Sequence, residues 1–423
     1  MSSLRKDVLF TNVLVAILFL TFFRDVLQLN NINGISFLLA GVVFFTCCLC
    51  SKVQCGYKLS ELLPFFLLML ISLLSILFNG VDGSYHRYIL GYYYSFLFFI
   101  VYVFCRLPSL TFHTFIGLCK WYFFVLFLIV LIACVQAVFY ISPPSDYPLA
   151  FLRDTPSVFP HPVYLFATIT LAFSLSLALY SYYKNGFYFF TSTFLFLCQL
   201  FTFSRKSLSA LILLIAFFYL WELKRSGNLW GKLIVLFISI VIAVFFLEPF
   251  LYRFTFFLEE TSGIDMSARS LMFLSSIDIA TENFPLGSGP GTFGSAPAAI
   301  YYSPLYFQYG LNSVFGLEPT SLVEGNVSYL MDTFWPHVIA EYGFIGTGVY
   351  FFMLLNPLRI MWNLKNSENR EVMFFSRVVI FVNIAVVFES LGGSYPSQLY
   401  FILIYSVLSA LSVTLLDKFQ RHS

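Results

Sequence analysis

The sequence predicts an all-α integral membrane protein with about twelve transmembrane helices, and a large loop on the outer side, between helices nine and ten, that contains short interfacial helices. Three observations carry this expectation. Only 10% of the 423 residues are charged and 59% are hydrophobic, whereas a soluble domain needs roughly 25% charged residues to keep its surface solvated. The dominant aromatic is Phe, with 55 copies against 27 Tyr; lipid-facing helices accept Phe throughout, while Tyr favours the water interface. Apolar runs recur along the whole chain and are continuous, without the alternation of a β-barrel strand.

The first run, 8–23, follows a short segment holding Arg5 and Lys6. No small-x-small cleavage site follows it, so it reads as an uncleaved first helix rather than a signal peptide. Further runs lie at 33–50, 62–79, 88–105, 112–140, 162–182, 187–203, 207–222, 232–248, 336–358, 373–391 and 397–416. A span takes about 20 residues at a rise of about 1.5 Å each. Several runs need flanking residues to reach that length, and 112–140 is long enough to tilt. Together they make one polytopic domain, 1–423. Cys47, Cys48, Cys50 and Cys55 end the second run with no His beside them and no CxxC spacing. They read as small apolar residues instead of a metal cluster. None of the eight cysteines falls in the two longest loops, 141–161 and 248–335, so a disulfide-stapled outer domain is not expected.

Orientation follows from basic residues. With twelve spans and the N-terminus inside, 16 of the 23 Lys and Arg fall on the cytoplasmic side and 7 outside. That bias places both termini in the cytoplasm and both long loops outside. The net charge of +2 carries no implication of nucleic acid. In the second loop, Met266, Leu271, Phe273, Leu274, Ile277 and Ile279 recur at helical spacing and predict a helix over 262–283, lying against the membrane interface. Pro285, Gly287, Gly289, Pro290, Gly291 and Gly294 then break it into turns.

The cations that remain outside against the bias are the informative ones. Arg205 and Lys206 stand in a very short turn between two apolar spans, close to lipid head groups. There a guanidinium fork can bind phosphate oxygens or simply snorkel. Arg269 begins the loop helix, with Asp265 four residues earlier as a possible ion-pair partner; the alternative is an ordinary surface charge. Arg153, in the Pro-rich first loop, is another outer cation available to an anionic substrate, and Arg253 reads as a snorkelling residue. His337 follows Trp335 and Pro336. Pro336 suits a first helical turn and Trp335 the interfacial belt. The His337 imidazole can accept a proton from a hydroxyl or serve only as a polar interface residue. Glu341 falls on the same helix face, placed to orient His337 or to act as base itself. His161 and His86 are weaker candidates. No P-loop, HExxH or DxD motif is present, so a metal-bound nucleotide-sugar donor is unsupported. A donor used outside the cell would arrive already energised.

Three segments resemble a known family. Thr202-Phe203-Ser204-Arg205-Lys206-Ser207 resembles the Ser-Arg segment that opens a helix in the O-antigen ligase and polymerase superfamily. Asn283-Phe284-Pro285-Leu286-Gly287-Ser288-Gly289 is similar to its Pro-Leu-Gly-x-Gly segment. His337 with Glu341-Tyr342-Gly343-Phe344-Ile345-Gly346 resembles its His-x3-Glu-x-Gly-x2-Gly end. The three occur in the family's order. The Wzy-type polymerase is favoured over the ligase because Trp335 and Pro336 stand where the ligase has a His-led pair before its Glu, and because the outer stretch through Tyr301, Tyr302, Tyr306 and Tyr309 is Tyr-rich. The resemblance implies glycosyl transfer at the periplasmic face of a bacterial inner membrane, without metal or cofactor. The donor would be an undecaprenyl-diphosphate-linked glycan and the acceptor a sugar hydroxyl of another lipid-linked repeat unit, with a chain-length regulator as a further partner. It implies that Arg205 and Arg269 hold the diphosphate and that His337 deprotonates or orients the acceptor. Lys206, Trp335, Glu341 and Arg153 would contact substrate. The rival readings are a ligase that transfers glycan to lipid A core, and a transporter or flippase without covalent chemistry.

Overall fold

The computed structural model describes residues 59–81, 85–106, 112–139, 162–202, 204–223, 268–323, 328–362 and 369–390, with isolated positions 152, 155, 157–159, 364, 402, 405 and 406. The expected spans at 8–23, 33–50 and 232–248, most of that at 397–416, and the cysteines from Cys47 to Cys55 lie outside the described residues.

Among the described residues the chain is helical, without strands. The first six helices are α1 (Leu59–Asn79), α2 (Tyr85–Arg106), α3 (Phe112–Phe139), α4 (Pro162–Tyr183), α5 (Gly186–Thr202) and α6 (Arg205–Leu223). The loop region holds α7 (Ala268–Glu282), the single turns α8 (Ala296–Ile300) and α9 (Pro304–Gln308), and two 3-10 turns, Leu311–Ser313 and Pro319–Leu322. Last come α10 (Phe334–Trp362) and α11 (Arg370–Ser390). The helices α1 to α6, α10 and α11 lie where apolar runs predict them and α7 within the helix expected over 262–283, whereas the single turns α8 and α9 fall where the sequence predicts no helix. Five of them, α1, α3, α4, α10 and α11, are long and apolar enough to cross a membrane.

Burial orders the bundle. The α4 span is 83% buried and that of α11 72%, against 22% for α1, so α4 and α11 form the centre. An apolar helix can carry hydroxyls there because each bonds a carbonyl one turn back: Thr170 to Phe166 at 3.1 Å, Ser174 to Leu171 at 2.6 Å and Ser176 to Phe173 at 2.9 Å. At the periphery, α1 and α3 expose Leu63, Phe66, Leu70, Phe124, Phe127 and Leu131, apolar faces suited to lipid.

Three pairs of contacts fix helix direction. Phe173 and Tyr180 of α4 meet Phe196 and Phe189 of α5, an antiparallel hairpin. Thr170 donates to Glu389 at 2.8 Å while Tyr182 meets Phe374, so α11 is also antiparallel to α4. Phe218 of α6 packs on Tyr180 and Phe381. At about 1.5 Å per residue, Arg205 opens α6 roughly 20 Å from Phe218, at the end of the bundle where Thr170 and Glu389 meet.

That same end carries the loop. Met272 and Ile279 of α7, with Phe293, Leu305, Tyr306 and Leu317, form a second core beside the start of α10. Of the apolar residues that predict the face of α7, Ile279 is fully buried while Leu271, Phe273, Leu274 and Ile277 are half-buried; Met272, on the neighbouring face, is fully buried. Helical spacing of apolar residues marks a face to be buried but does not say whether lipid or protein buries it.

The glycine-rich segment after α7 is wedged between helices. Gly343 breaks α10 with φ 62° and ψ −175°, a backbone region essentially restricted to glycine. The break frees carbonyls that a continuous helix would occupy. Ala340 and Glu341 accept instead from Ser288 N–H and Gly289 N–H, both at 2.9 Å. Gly287 and Gly343 press on each other so closely that a Cβ on Gly343 would stand 2.7 Å from Gly287 N. From α1, Ser75 donates to the Gly287 carbonyl at 2.6 Å and Asn79 to the Asn283 carbonyl at 3.1 Å. The segment read from sequence as an external turn is thus a structural part of the bundle.

Candidate functional site

His337 and Glu341 lie one turn apart in α10, before its break, and the structure brings them together. His337 Nε2 is 3.2 Å from Glu341 Oε2. The approach is out of line for a hydrogen bond, and neither atom has another partner. His337 is 6% exposed and Glu341 fully buried. The other carboxylate oxygen, Oε1, accepts from Phe293 N–H at 3.1 Å and from the Ser295 hydroxyl at 2.6 Å. Ser295 also caps α8, accepting from Ala298 N–H, which fixes its own proton toward Glu341. Gly294 backs His337: a Cβ there would stand 3.2 Å from the histidine Cβ. The edges of Phe334 and Tyr342 wall the imidazole. The glycine-rich segment therefore anchors the carboxylate, and the carboxylate faces the imidazole. An imidazole faced by an anchored carboxyl group is an arrangement that general-base chemistry on a hydroxyl can use.

Of the other sequence candidates, Arg269 and Trp335 are described with their side chains, and neither contacts the pair. Arg269 is half exposed and donates from Nε to Asp332 at 3.0 Å, with Nη2 on the same oxygen; its guanidinium also covers the Tyr329 ring. Asp332 lies two residues before α10, so this contact ties the start of α7 to the segment that leads into α10. Its expected partner, Asp265, lies outside the described residues. Trp335 is tied to α11 by an indole N–H donated to Ser390 at 3.1 Å. Arg205 and Lys206 open α6 at this end, but their side chains, together with Arg153 and His161, lie outside what is described. Leu152, the chain neighbour of Arg153, donates its N–H to Phe201 O at 3.2 Å, which ties Leu152 to the end of α5. His86 is exposed at the start of α2.

Sequence reasoning passed over three residues here. Ser295 carried only a capping signal, a Ser two residues before Pro297. Glu389, buried in α11 and bonded by Thr170, is a carboxylate near the end of an apolar run, and such residues mark functional positions in membrane helices. Arg87, 1% exposed, was one of the seven outer cations and drew no separate notice. Tyr306 lies beneath the site and accepts from Gly294 N–H at 3.0 Å. Burial pushes its phenol well above the usual range; the Gly294 bond and Arg87 pull it down, while Glu341 raises it further. Among the described residues no group of His, Cys, Asp and Glu could hold a metal ion. No family model matches the chain, and no curated protein matches it.

Proposed function

We propose that the protein is a polysaccharide polymerase of the Wzy type, which joins an undecaprenyl-diphosphate-linked glycan to a sugar hydroxyl of another lipid-linked repeat unit. The observation that carries this reading is the buried His337–Glu341 pair, backed by a glycine-rich wedge at the end of an apolar helical bundle. The pair supplies a proton acceptor at the end of the bundle that carries the loop. In this reading Arg205 and Arg269 hold the diphosphate and strengthen their contacts as charge develops on the leaving group. Lys206, Trp335 and Arg153 contact the substrate, and Glu341 orients His337.

The loop then faces the periplasm and both termini the cytoplasm, as the 16-to-7 distribution of basic residues favours. A thiol reagent that cannot cross the membrane should label a cysteine at Ser313, and not one at Ser367, in intact cells of a cysteine-free background. Labelling at Ser367 alone would reverse the orientation. The deciding assay reconstitutes the purified chain in vesicles with one defined lipid-linked repeat unit. The expected product is a ladder of longer lipid-linked glycans with release of undecaprenyl diphosphate. Transfer only to added lipid A core would make the protein a ligase. A second reading, transport, draws on the break in α10, because discontinuous helices often line translocation sites. Movement of the lipid-linked glycan across the vesicle membrane, with no new glycosidic bond, would favour it.

A further inference from the structure

We propose that Arg87 is an anion-binding residue of this site, held ready for a phosphate or diphosphate group. In naming a lipid-linked diphosphate as the source of that group, the proposal rests on the function proposed above.

Arg87 stands in the first turn of α2 and is 1% exposed. A guanidinium stays charged in protein surroundings and offers five N–H donors. Here Nη2 donates to the Val81 carbonyl at 3.0 Å and the guanidinium carbon lies 5.3 Å from the Tyr88 ring centre. Nε is buried with no hydrogen-bond partner, and no carboxylate among the described residues pairs with Arg87. A buried cation with no anion among the described residues calls for a partner, because an unpaired buried charge is strongly disfavoured. Packing alone does not account for it. Arg87 touches the glycine wedge through its backbone carbonyl and its Cγ, the latter 3.3 Å from where a Cβ on Gly291 would stand. An uncharged side chain with a similar stem would make the same contacts.

The position of the charge links it to the site. One glycine segment touches both: a Cβ on Gly291 would stand 3.3 Å from the Arg87 Cγ and one on Gly294, three residues on, 3.2 Å from the His337 Cβ, and the Tyr306 phenol is shifted by both Arg87 and Glu341. The first turn of α2 adds backbone N–H groups without helical acceptors. An oxyanion would complement this cation, and the planar fork matches two oxygens of one phosphate.

The test uses the full chain in lipid nanodiscs, with Arg87→Met and Arg87→Lys variants. Thermal unfolding without ligand and binding are measured with three probes: undecaprenyl diphosphate, undecaprenol and inorganic pyrophosphate. Arg87→Met keeps the stem and removes the unpaired charge. It is expected to unfold at or above the wild-type temperature while binding undecaprenyl diphosphate at least about tenfold more weakly, with undecaprenol binding unchanged. Arg87→Lys should fall between Met and wild type, because charge remains but the fork is lost. Wild-type affinity of Arg87→Met for undecaprenyl diphosphate would overturn the assignment and leave the polymerase reading intact. Arg87-dependent binding of pyrophosphate, with the lipid diphosphate bound no better than undecaprenol, would keep the anion site and remove the lipid donor. An Arg87→Met chain that fails to fold, or a wild-type chain that binds neither diphosphate, would also overturn it.

Discussion

His337→Ala is expected to slow polymer formation at least about 100-fold, the low end of what general-base catalysis contributes, while leaving the binding of undecaprenyl diphosphate unchanged. In the proposed mechanism the arginines hold the donor and the imidazole acts only on the acceptor, so binding and turnover should separate. Glu341→Gln should slow turnover as well. It keeps the size of the side chain but removes the negative charge 3.2 Å from Nε2, so a proton arriving on His337 no longer completes an ion pair. The double variant should be no slower than the worse single one, because groups that act as a unit give non-additive losses. Glu341→Ala is a poorer probe. It leaves the Ser295 hydroxyl and Phe293 N–H buried without their acceptor, a fault that costs about 1–3 kcal/mol on its own. The measurement is single-turnover transfer in the reconstituted system beside equilibrium binding of the lipid. Near-normal turnover by His337→Ala would move the base role to Glu341 or to water. Additive losses would mean that the two side chains work separately.

The residues of this site differ in how readable they were, for physical reasons. The His337–Glu341 contact follows from spacing on one helix, and a four-residue interval puts two side chains on one face whatever surrounds them. The helices were legible from the length of the apolar runs, since each must satisfy its own backbone in an apolar surrounding. Non-local partners were not. Arg269 bonds Asp332, 63 residues away, and no local pattern couples them. Arg87 has Val81 and Tyr88 near it in sequence, but Gly291 packs on it from a distant part of the chain, whereas along the chain it is only an arginine before an apolar run. The glycines announced turns but not that the turns insert between α1, α2 and α10. Glycine permits a positive φ and permits close approach, and a single sequence does not say which use applies.

Close approach can be tested at Gly343. Gly343→Ala is expected to lower the folded yield sharply and to abolish transfer by whatever protein folds. The backbone there, at φ 62° and ψ −175°, costs a residue with a Cβ about 1–3 kcal/mol in strain. Sterics add to that, because the new methyl would stand 2.7 Å from both Gly287 N and Pro285 O. To relieve the overlap the glycine segment must withdraw, giving up the Ser288 and Gly289 N–H bonds to Ala340 and Glu341. The same segment carries Phe293 N–H and Ser295 to the Glu341 carboxylate, so its withdrawal also frees the carboxylate that faces His337. Two control glycines separate these costs. Gly310→Ala meets no atom within 4 Å but has φ 66°, so it bears strain alone and should cost roughly 1–2 kcal/mol. Gly117→Ala also meets nothing within 4 Å and lies inside α3, where alanine is the better helix former by about 1 kcal/mol. Thermal unfolding should therefore rank Gly117→Ala highest, Gly310→Ala next and Gly343→Ala far below. A Gly343→Ala protein as stable and active as Gly310→Ala would show that the wedge yields easily, and would remove it as the element that holds Glu341 against His337.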